Sequence, residues 1–411
     1  MGDSEQTVGV VGAYGATGRI VTEQLLALSH ARLLIAGRDR AKLDALAAEL
    51  GERVEVLPCD VFDNSELAAL SRRVDVVVNC AGPFSRVLER VAAAAYEAGI
   101  HYVDPGGETI MFRRLSRLQP ALVRKRLSFI LGAGLMPGVT GLIAWYASAL
   151  AQILFDEVLA VDLYFGDVDN WSLTGCEDIL ALTFDREAFG WYEQGQWKPA
   201  RGINLLRRSR RVNLPAPFGK RTLVTPQFRR ELTTLASCYD YPRVASFVAP
   251  QLSRHTLHAW LYIALVARVS RARAAHHLQS LLGKQCRRIG IGSVAEARVR
   301  GSREGAETRL RVATTESRGY WVTGLTCALA TNALLDGEVI PGCTFLCDST
   351  DPVVFIHRMI DHGLSVTAEL DRTPLDGRET FQKALDAERV ALPSVAGDGN
   401  PARDVGGASP D

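Results

Sequence analysis

Short apolar strands alternate with helical stretches through the first third of the chain, and this alternation constrains the fold more than any other feature. Residues 7–12 are a β-branched run ending in Gly12, and a helical pattern fills 16–28. The next strand spans 32–36 and an amphipathic helix 40–50. Short apolar strands follow at 54–57, 74–80, 100–103 and 128–131, separated by helical stretches at 65–71, 86–98 and 110–123. Strands and helices at this spacing require crossover connections, and so a parallel sheet covered on both faces. The expectation is an α/β, doubly wound Rossmann-type domain.

The pattern changes near residue 150. A strand is expected at 157–165, then an irregular interval to 253 in which tryptophan, proline and glycine are interleaved. A helix follows at 256–270. Strand-like runs at 288–300 and 308–316 flank Gly301-Ser302-Arg303-Glu304-Gly305, a hairpin signal. These features predict an inserted α+β domain built on an antiparallel sheet. The helical pattern returns at 320–335, with small residues suited to close packing, and is expected to rejoin the first domain. The predicted organisation is 1–145 for the α/β domain, 146–317 for the α+β domain, 318–365 for returning helices, and 366–411 for a C-terminal helix and tail. The tail from Ser394, rich in glycine, proline and aspartate, is expected to be disordered.

Of 411 residues, 47% are hydrophobic and 23% charged, enough apolar material for a full core. A net charge of +1 argues against a general nucleic-acid-binding surface. Eight dispersed cysteines suit free thiols in a reducing, cytoplasmic setting. Residues 127–155 carry no charge, but Gly132, Gly134, Pro137, Gly138 and Gly141 divide them into a strand, a loop and a short helix. No membrane partner is expected. Gly2 lacks the serine or threonine of a myristoylation signal.

Gly12-Ala13-Tyr14-Gly15-Ala16-Thr17-Gly18 stands after a strand and opens a helix, where a dinucleotide's phosphates would be held. Gly12 permits the tight turn, Gly15 the approach of a pyrophosphate, and Gly18 close packing of helix on strand. The second strand ends in Gly37-Arg38-Asp39, where an NAD site usually carries an acid. A guanidinium at Arg38 suits a 2′-phosphate, and Arg19 adds a second positive charge. NADP(H) is therefore favoured over NAD, although a shift of register would bring Asp39 to the ribose. Asp60, closing the third strand, either flanks the adenine or is a loop residue. Asn79-Cys80-Ala81-Gly82-Pro83-Phe84 ends the fourth strand at the same sheet edge, beside the expected nicotinamide ribose.

Together with His101-Tyr102-Val103-Asp104, Glu108 and Gly134-Leu135-Met136-Pro137-Gly138, these segments resemble the saccharopine dehydrogenase/reductase-like family. The segment 319–335 is similar to that family's returning helix. The resemblance implies an NADP-binding Rossmann domain split by a substrate domain that often dimerises, so a homodimer is expected. It also implies oxidation or reduction of a C–N bond joining an amino acid to a carbonyl compound. Met136 departs from the pattern, since amino-acid-handling members often have aspartate before this proline. The chain looks more like the subgroup found in bacterial natural-product pathways.

Asp104 and Glu108 follow the fifth strand and are the candidate proton donors; the alternative roles are a turn cap and a helix start. No tyrosine is followed by lysine four positions on, and no G-x-S-x-G, H-E-x-x-H or C-x-x-C occurs. Cys343/Cys347 and His255/His258 are isolated pairs, so no metal site is expected. His276-His277 reads as a solvated helix face. Between Arg201 and Glu231 lie nine basic residues and one acid, centred on Arg207, Arg208, Arg210 and Arg211. Such a run is either a solvated face or a docking surface for an anionic carrier domain or a carboxylate. The leading expectation is an NADPH-dependent reductase of a C=N bond in a small secondary-metabolite or amino-acid-derived substrate. The alternatives are a trans-acting enoyl (C=C) reductase on a carrier-bound chain, and a dinucleotide-binding sensor without turnover.

Overall fold

The computed structural model describes residues 6–107, 109–183, 189–200, 203–227, 230–250 and 257–386. The chain opens with β1 (Thr7–Val11), α1 (Ala16–Leu28), β2 (Arg32–Gly37), α2 (Arg40–Leu50), β3 (Val54–Pro58), α3 (Asn64–Ser71) and β4 (Val76–Asn79). It continues with α4 (Phe84–Val87), α5 (Arg90–Ala98), β5 (His101–Val103), α6 (Thr109–Leu115), α7 (Gln119–Lys125) and β6 (Ser128–Leu131). These strands pair in parallel in the order β6-β5-β4-β1-β2-β3. Val8, Val10, Val76, Val77 and Val78 are buried, as strands covered by helices on both faces require. Two helical expectations need correction. Residues 86–98 are broken at Leu88, which adopts a positive φ, and 110–123 are interrupted by a 3₁₀ turn, after which Pro120 opens α7.

The charge-free stretch 127–155 is explained by burial. After β6 and a glycine-rich loop, α8 (Val139–Leu154) is buried from Val139 to Ala151 and packs on the second sheet. No described helix is long and apolar enough to cross a membrane. The Glu231 carboxylate caps α8, accepting from Gly138 N (2.7 Å) and Thr140 Oγ1 (2.5 Å).

The second domain runs through β7 (Glu157–Val168), α9 (Leu173–Thr183), β8 (Gly190–Glu193), β9 (Gln196–Pro199), α10 (Ile203–Arg208), β10 (Arg210–Val212) and β11 (Thr222–Pro226). Then come α11 (Thr233–Cys238), β12 (Arg243–Val248), α12 (Leu257–Val269), α13 (Arg271–Ile289), β13 (Gly292–Arg303) and β14 (Ala306–Glu316). The interval expected to be irregular thus contains strands, and the sheet is mixed because β7 and β12 pair in parallel. The strand expected from 288 begins at Gly292, since α13 runs on to Ile289. Glu304 and Gly305, both at positive φ, form the two-residue turn between β13 and β14.

The chain then returns to the first domain. Helix α14 (Gly319–Leu335) lies along α1, where Gly324 permits the contact: a Cβ there would stand 2.4 Å from Ile20 Cγ2. Next are β15 (Gly342–Phe345), α15 (Leu346–Ser349), α16 (Pro352–Asp361), β16 (Val366–Leu370), β17 (Thr373–Leu375) and α17 (Gly377–Asp386). The expectation of helices alone over 318–365 is corrected by β15, which pairs in parallel with β6 as a seventh strand. The expectation of only a helix and tail after 366 is corrected by β16 and β17, which extend the second sheet beyond β14. The tail from Ser394 lies outside the described residues.

Candidate functional site

The first sheet changes direction between β1 and β4, the crevice where doubly wound sheets take ligands. The glycine turn after β1 lies against the loop after β4. Gly12 has φ +77°, and a Cβ there would come within 2.8 Å of Ala81 N. Gly18 packs still closer, its would-be Cβ 2.2 Å from the Gly12 carbonyl oxygen. Gly15 differs: its Cβ would meet only Gly12 O, at 3.1 Å, leaving space above the helix end. No side chain caps α1 and no acid stands in its first turn, so the amides around Ala16 and Thr17 remain for an external anion. Tyr14 lies over Gly37, which has no room for a side chain under the ring.

At the end of β2, Arg38 is exposed and makes no hydrogen bond or ion pair with the described residues. Asp39 is the N-cap of α2, accepting from Lys42 N at 3.2 Å, with Lys42 Nζ at 3.4 Å. Arg19 requires a correction as a second charge for the cofactor: Glu23 (2.9 Å) and Glu49 (2.5 Å) hold its guanidinium. Asp60 is a loop residue, its carboxylate accepting from Phe62 N at 3.0 Å.

Asn79 is buried and shapes the loop after β4, its Oδ1 accepting from Ala81 N at 3.1 Å and its Nδ2 donating to Tyr102 Oη at 3.2 Å. Cys80 and Gly82 face a cleft between the domains, and Pro83 follows a cis peptide bond. Asp104 was expected as a proton donor at this edge, and the structure corrects that role. The residue is fully buried beneath the cleft wall, and its Oδ1 accepts from the amides of Gly106, Gly107 and Gly132. Burial pushes its carboxyl up to about 6, opposed by those amides and by Tyr102. It organises two loops and does not line the cleft. Glu108 lies outside the described residues.

The cleft has a volume of about 320 Å³ and runs from Thr17 and Cys80 on the first domain to Asp167, Trp171 and Tyr320 on the other side. Sequence reasoning missed that second wall. Asp167, near the end of β7, accepts from Trp171 Nε1 at 2.6 Å, and burial pushes its carboxyl up to about 7, with Asp169 adding to the rise. Burial also raises the Asp169 carboxyl. Tyr320 Oη accepts from Ser172 N at 2.8 Å, and burial holds the phenol protonated. The available signal was the alternation Asp167-Val168-Asp169, which puts two acids on one side of a strand end. Among the described residues lining the cleft there is no lysine, arginine or histidine.

Among the described residues of the basic run, Arg207, Arg208 and Arg211 are exposed and Arg210 is half-buried. Arg210 pairs with Asp162 (2.8 Å) and lies over Phe247, Arg208 lies over Trp191, and Arg211 donates to the Arg221 carbonyl. Its one acid, Glu231, is the buried cap of α8. His276 and His277 are exposed on α13.

The family model for the saccharopine dehydrogenase NADP binding domain matches residues 8–126. Over that domain the chain is similar to the saccharopine dehydrogenases. Its first domain is thus of an NADP-binding type, and the uncapped α1 terminus, the side-chain-free Gly15 and the unpaired Arg38 fit that cofactor. Over 219 residues it is 30% identical to a carboxyaminopropylagmatine dehydrogenase of Synechocystis sp., covering 50% of this chain and 53% of the relative. A trans-acting enoyl reductase of Mycobacterium leprae is 37% identical over 109 residues, 26% of each chain. These matches span half or less of this chain and about half or less of the relatives. Saccharopine dehydrogenase (L-Glu forming) of Saccharomyces cerevisiae shares the fold, with a TM-score of 0.60 at 16% identity over 89% of this chain and 99% of that one.

Proposed function

We propose that the protein is an NADPH-dependent oxidoreductase that reduces a C=N bond in an amino-acid-derived or secondary-metabolite substrate. The observation that carries this reading is Asp167, a carboxyl near 7 at the wall of an open cleft that begins at the glycine turn. NADPH, when bound, supplies a hydride. The α1 amides and Arg38 would hold its phosphates, and the small residues of the 79–83 loop leave room beside it. Asp167 holds a proton in the range where it can be given to a substrate nitrogen. The Asp169 carboxylate favours a positively charged iminium, and a wall without described cations does not select a carboxylate there. A cofactor sensor would need no such cleft.

A second reading is reduction of an enoyl thioester. Tyr320 favours it, because its hydroxyl accepts from Ser172 N and keeps its own proton for a developing oxyanion. NADPH oxidation measured with cyclic imines and with enoyl thioesters separates the two. The proposed activity predicts imine turnover that falls about 100-fold in Asp167→Asn, within the usual range for losing a general acid. Turnover of enoyl thioesters alone, lost in Tyr320→Phe and retained in Asp167→Asn, overturns it in favour of the second reading.

A further inference from the structure

Helices α12 and α13 form a hairpin against α9, with Ile263, Ala267, Ala274, Leu278 and Leu282 turned inward onto Cys176 and Leu180. The outer side of α12 is apolar as well. Leu261 (61% exposed), Leu265 (62%) and Val269 (86%) stand at i, i+4 and i+8, with Tyr262 (52%) beside them. The stripe is about 12 Å long at helical rise.

Cations stand at the two ends of the hairpin. Arg268, Arg271 and Arg273 crowd the bend, and Lys284, Arg287 and Arg288 stand at the far end near the exposed Ile289 and Ile291. None of the six forms an ion pair with a described acid, whereas Arg19, Arg40, Arg114 and Arg358 each hold a carboxylate. No aspartate or glutamate occurs between Asp240 and Glu296. Arg271 and Arg273 occupy the first turn of α13, where the helix dipole disfavours positive charge. Local stability does not explain cations at that position.

We infer that this hairpin face docks on an anionic lipid surface. An apolar stripe carrying a tyrosine and bordered by arginines has the chemistry of an interfacial helix: the side chains enter the acyl boundary while the guanidiniums meet lipid phosphates. A second copy of the chain fits poorly, since a symmetric contact would set the same cations against each other with no acid between them. Docking of this kind needs no spanning helix. The hairpin is also tied to the cleft wall, because Gln279 Nε2 donates to the Trp171 carbonyl at 2.9 Å.

The test is co-sedimentation of the full chain with vesicles of phosphatidylcholine alone or with about 30% phosphatidylserine, at low and high salt. The expected result is at least about tenfold stronger partition onto the anionic vesicles at low salt, weakening as salt rises. Leu261→Ser/Leu265→Ser/Val269→Ser and Arg268→Glu/Arg271→Glu/Arg273→Glu should each abolish it while keeping the melting temperature and NADPH affinity. No partition onto anionic vesicles by folded wild-type protein overturns the inference, as does partition that both variants retain. A wild-type dimer that the triple serine variant converts to monomer assigns the stripe to a second copy and overturns it too. If polyglutamate displaces the protein from vesicles and its binding depends on the same leucines, the face belongs to an acidic protein and the lipid assignment fails.

Discussion

At the residue scale, neighbouring charges differ in what already holds them. Arg38 is unpaired, while Asp39 caps α2 and Arg19 is held by two glutamates. Arg38→Ala should therefore weaken NADPH binding by about 1.5–3 kcal/mol, the range for a hydrogen bond to a charged group, and leave NADH nearly unchanged. Titration with both nucleotides checks this, and equal losses would show that Arg38 does not read the 2′-phosphate. Asp167 makes a prediction in pH. Its folded carboxyl lies near 7, raised by burial, against roughly 3.9 for an unfolded chain. The native state thus binds the proton more tightly, and the stabilisation is complete below the unfolded value and lost as pH rises through 7. The proton donor is lost over the same interval, so kcat should fall above about pH 7. In Asp167→Asn that limb of the pH profile should vanish, and the melting temperature should vary less between pH 5 and 8. An unchanged profile would remove Asp167 from the chemistry.

At the element scale, the glycines of the first turn separate folding from binding. Gly15 has ordinary backbone angles and one tight neighbour, Gly12 O at 3.1 Å from a would-be Cβ, so Gly15→Val should abolish dinucleotide binding with a smaller loss of stability than a side chain at Gly18. Gly18 has the Gly12 carbonyl where a Cβ would go, so Gly18→Ala should lower the melting temperature as well, by several degrees for a loss on the order of 1–3 kcal/mol. Thermal melts and NADPH titrations of the pair check the contrast. The elements of the first domain were legible because each strand is a local apolar run and each crossover helix has its own period. Strand β15 was not: Gly342–Phe345 is a strand because it pairs with β6, more than two hundred residues earlier, and nothing local demands it. The same holds for β16, which extends along β14. Glu231 shows the reverse limit, since a charge within a basic run read as surface and is a buried helix cap.

At the scale of the whole molecule, the cofactor side of the cleft was readable and the opposite side was not. The glycine turn and the loop after β4 are contiguous motifs, whereas Asp167 and Asp178 of the second domain and Tyr320 of the returning helix line one cleft only in the folded chain. Asp178, on α9, ties the second domain to the first. Its carboxylate accepts from Phe84 N and Ser85 N, both at 2.9 Å, and so holds the start of α4 from across the cleft. Burial raises its carboxyl, yet the two amides favour the charged form. The nearby pair of Arg86 and Glu177 (2.6 Å) spans the same gap, but Arg86 is largely exposed, and such pairs contribute roughly 0–1 kcal/mol. The amide clamp should dominate. Asp178→Ala loses two charge-assisted hydrogen bonds, offset in part by water reaching the freed amides, and a net loss near 1.4 kcal/mol is about tenfold in affinity. Because Asp178 positions the 82–87 segment and is not itself the proton donor, the loss should fall on KM, with kcat changing less. Arg86→Ala should change either constant by no more than about fivefold. Steady-state kinetics on the two variants, with melting curves to exclude unfolding, decide between the contacts. A larger loss in Arg86→Ala than in Asp178→Ala would mean that the domains are held by surface charge and not by the buried clamp.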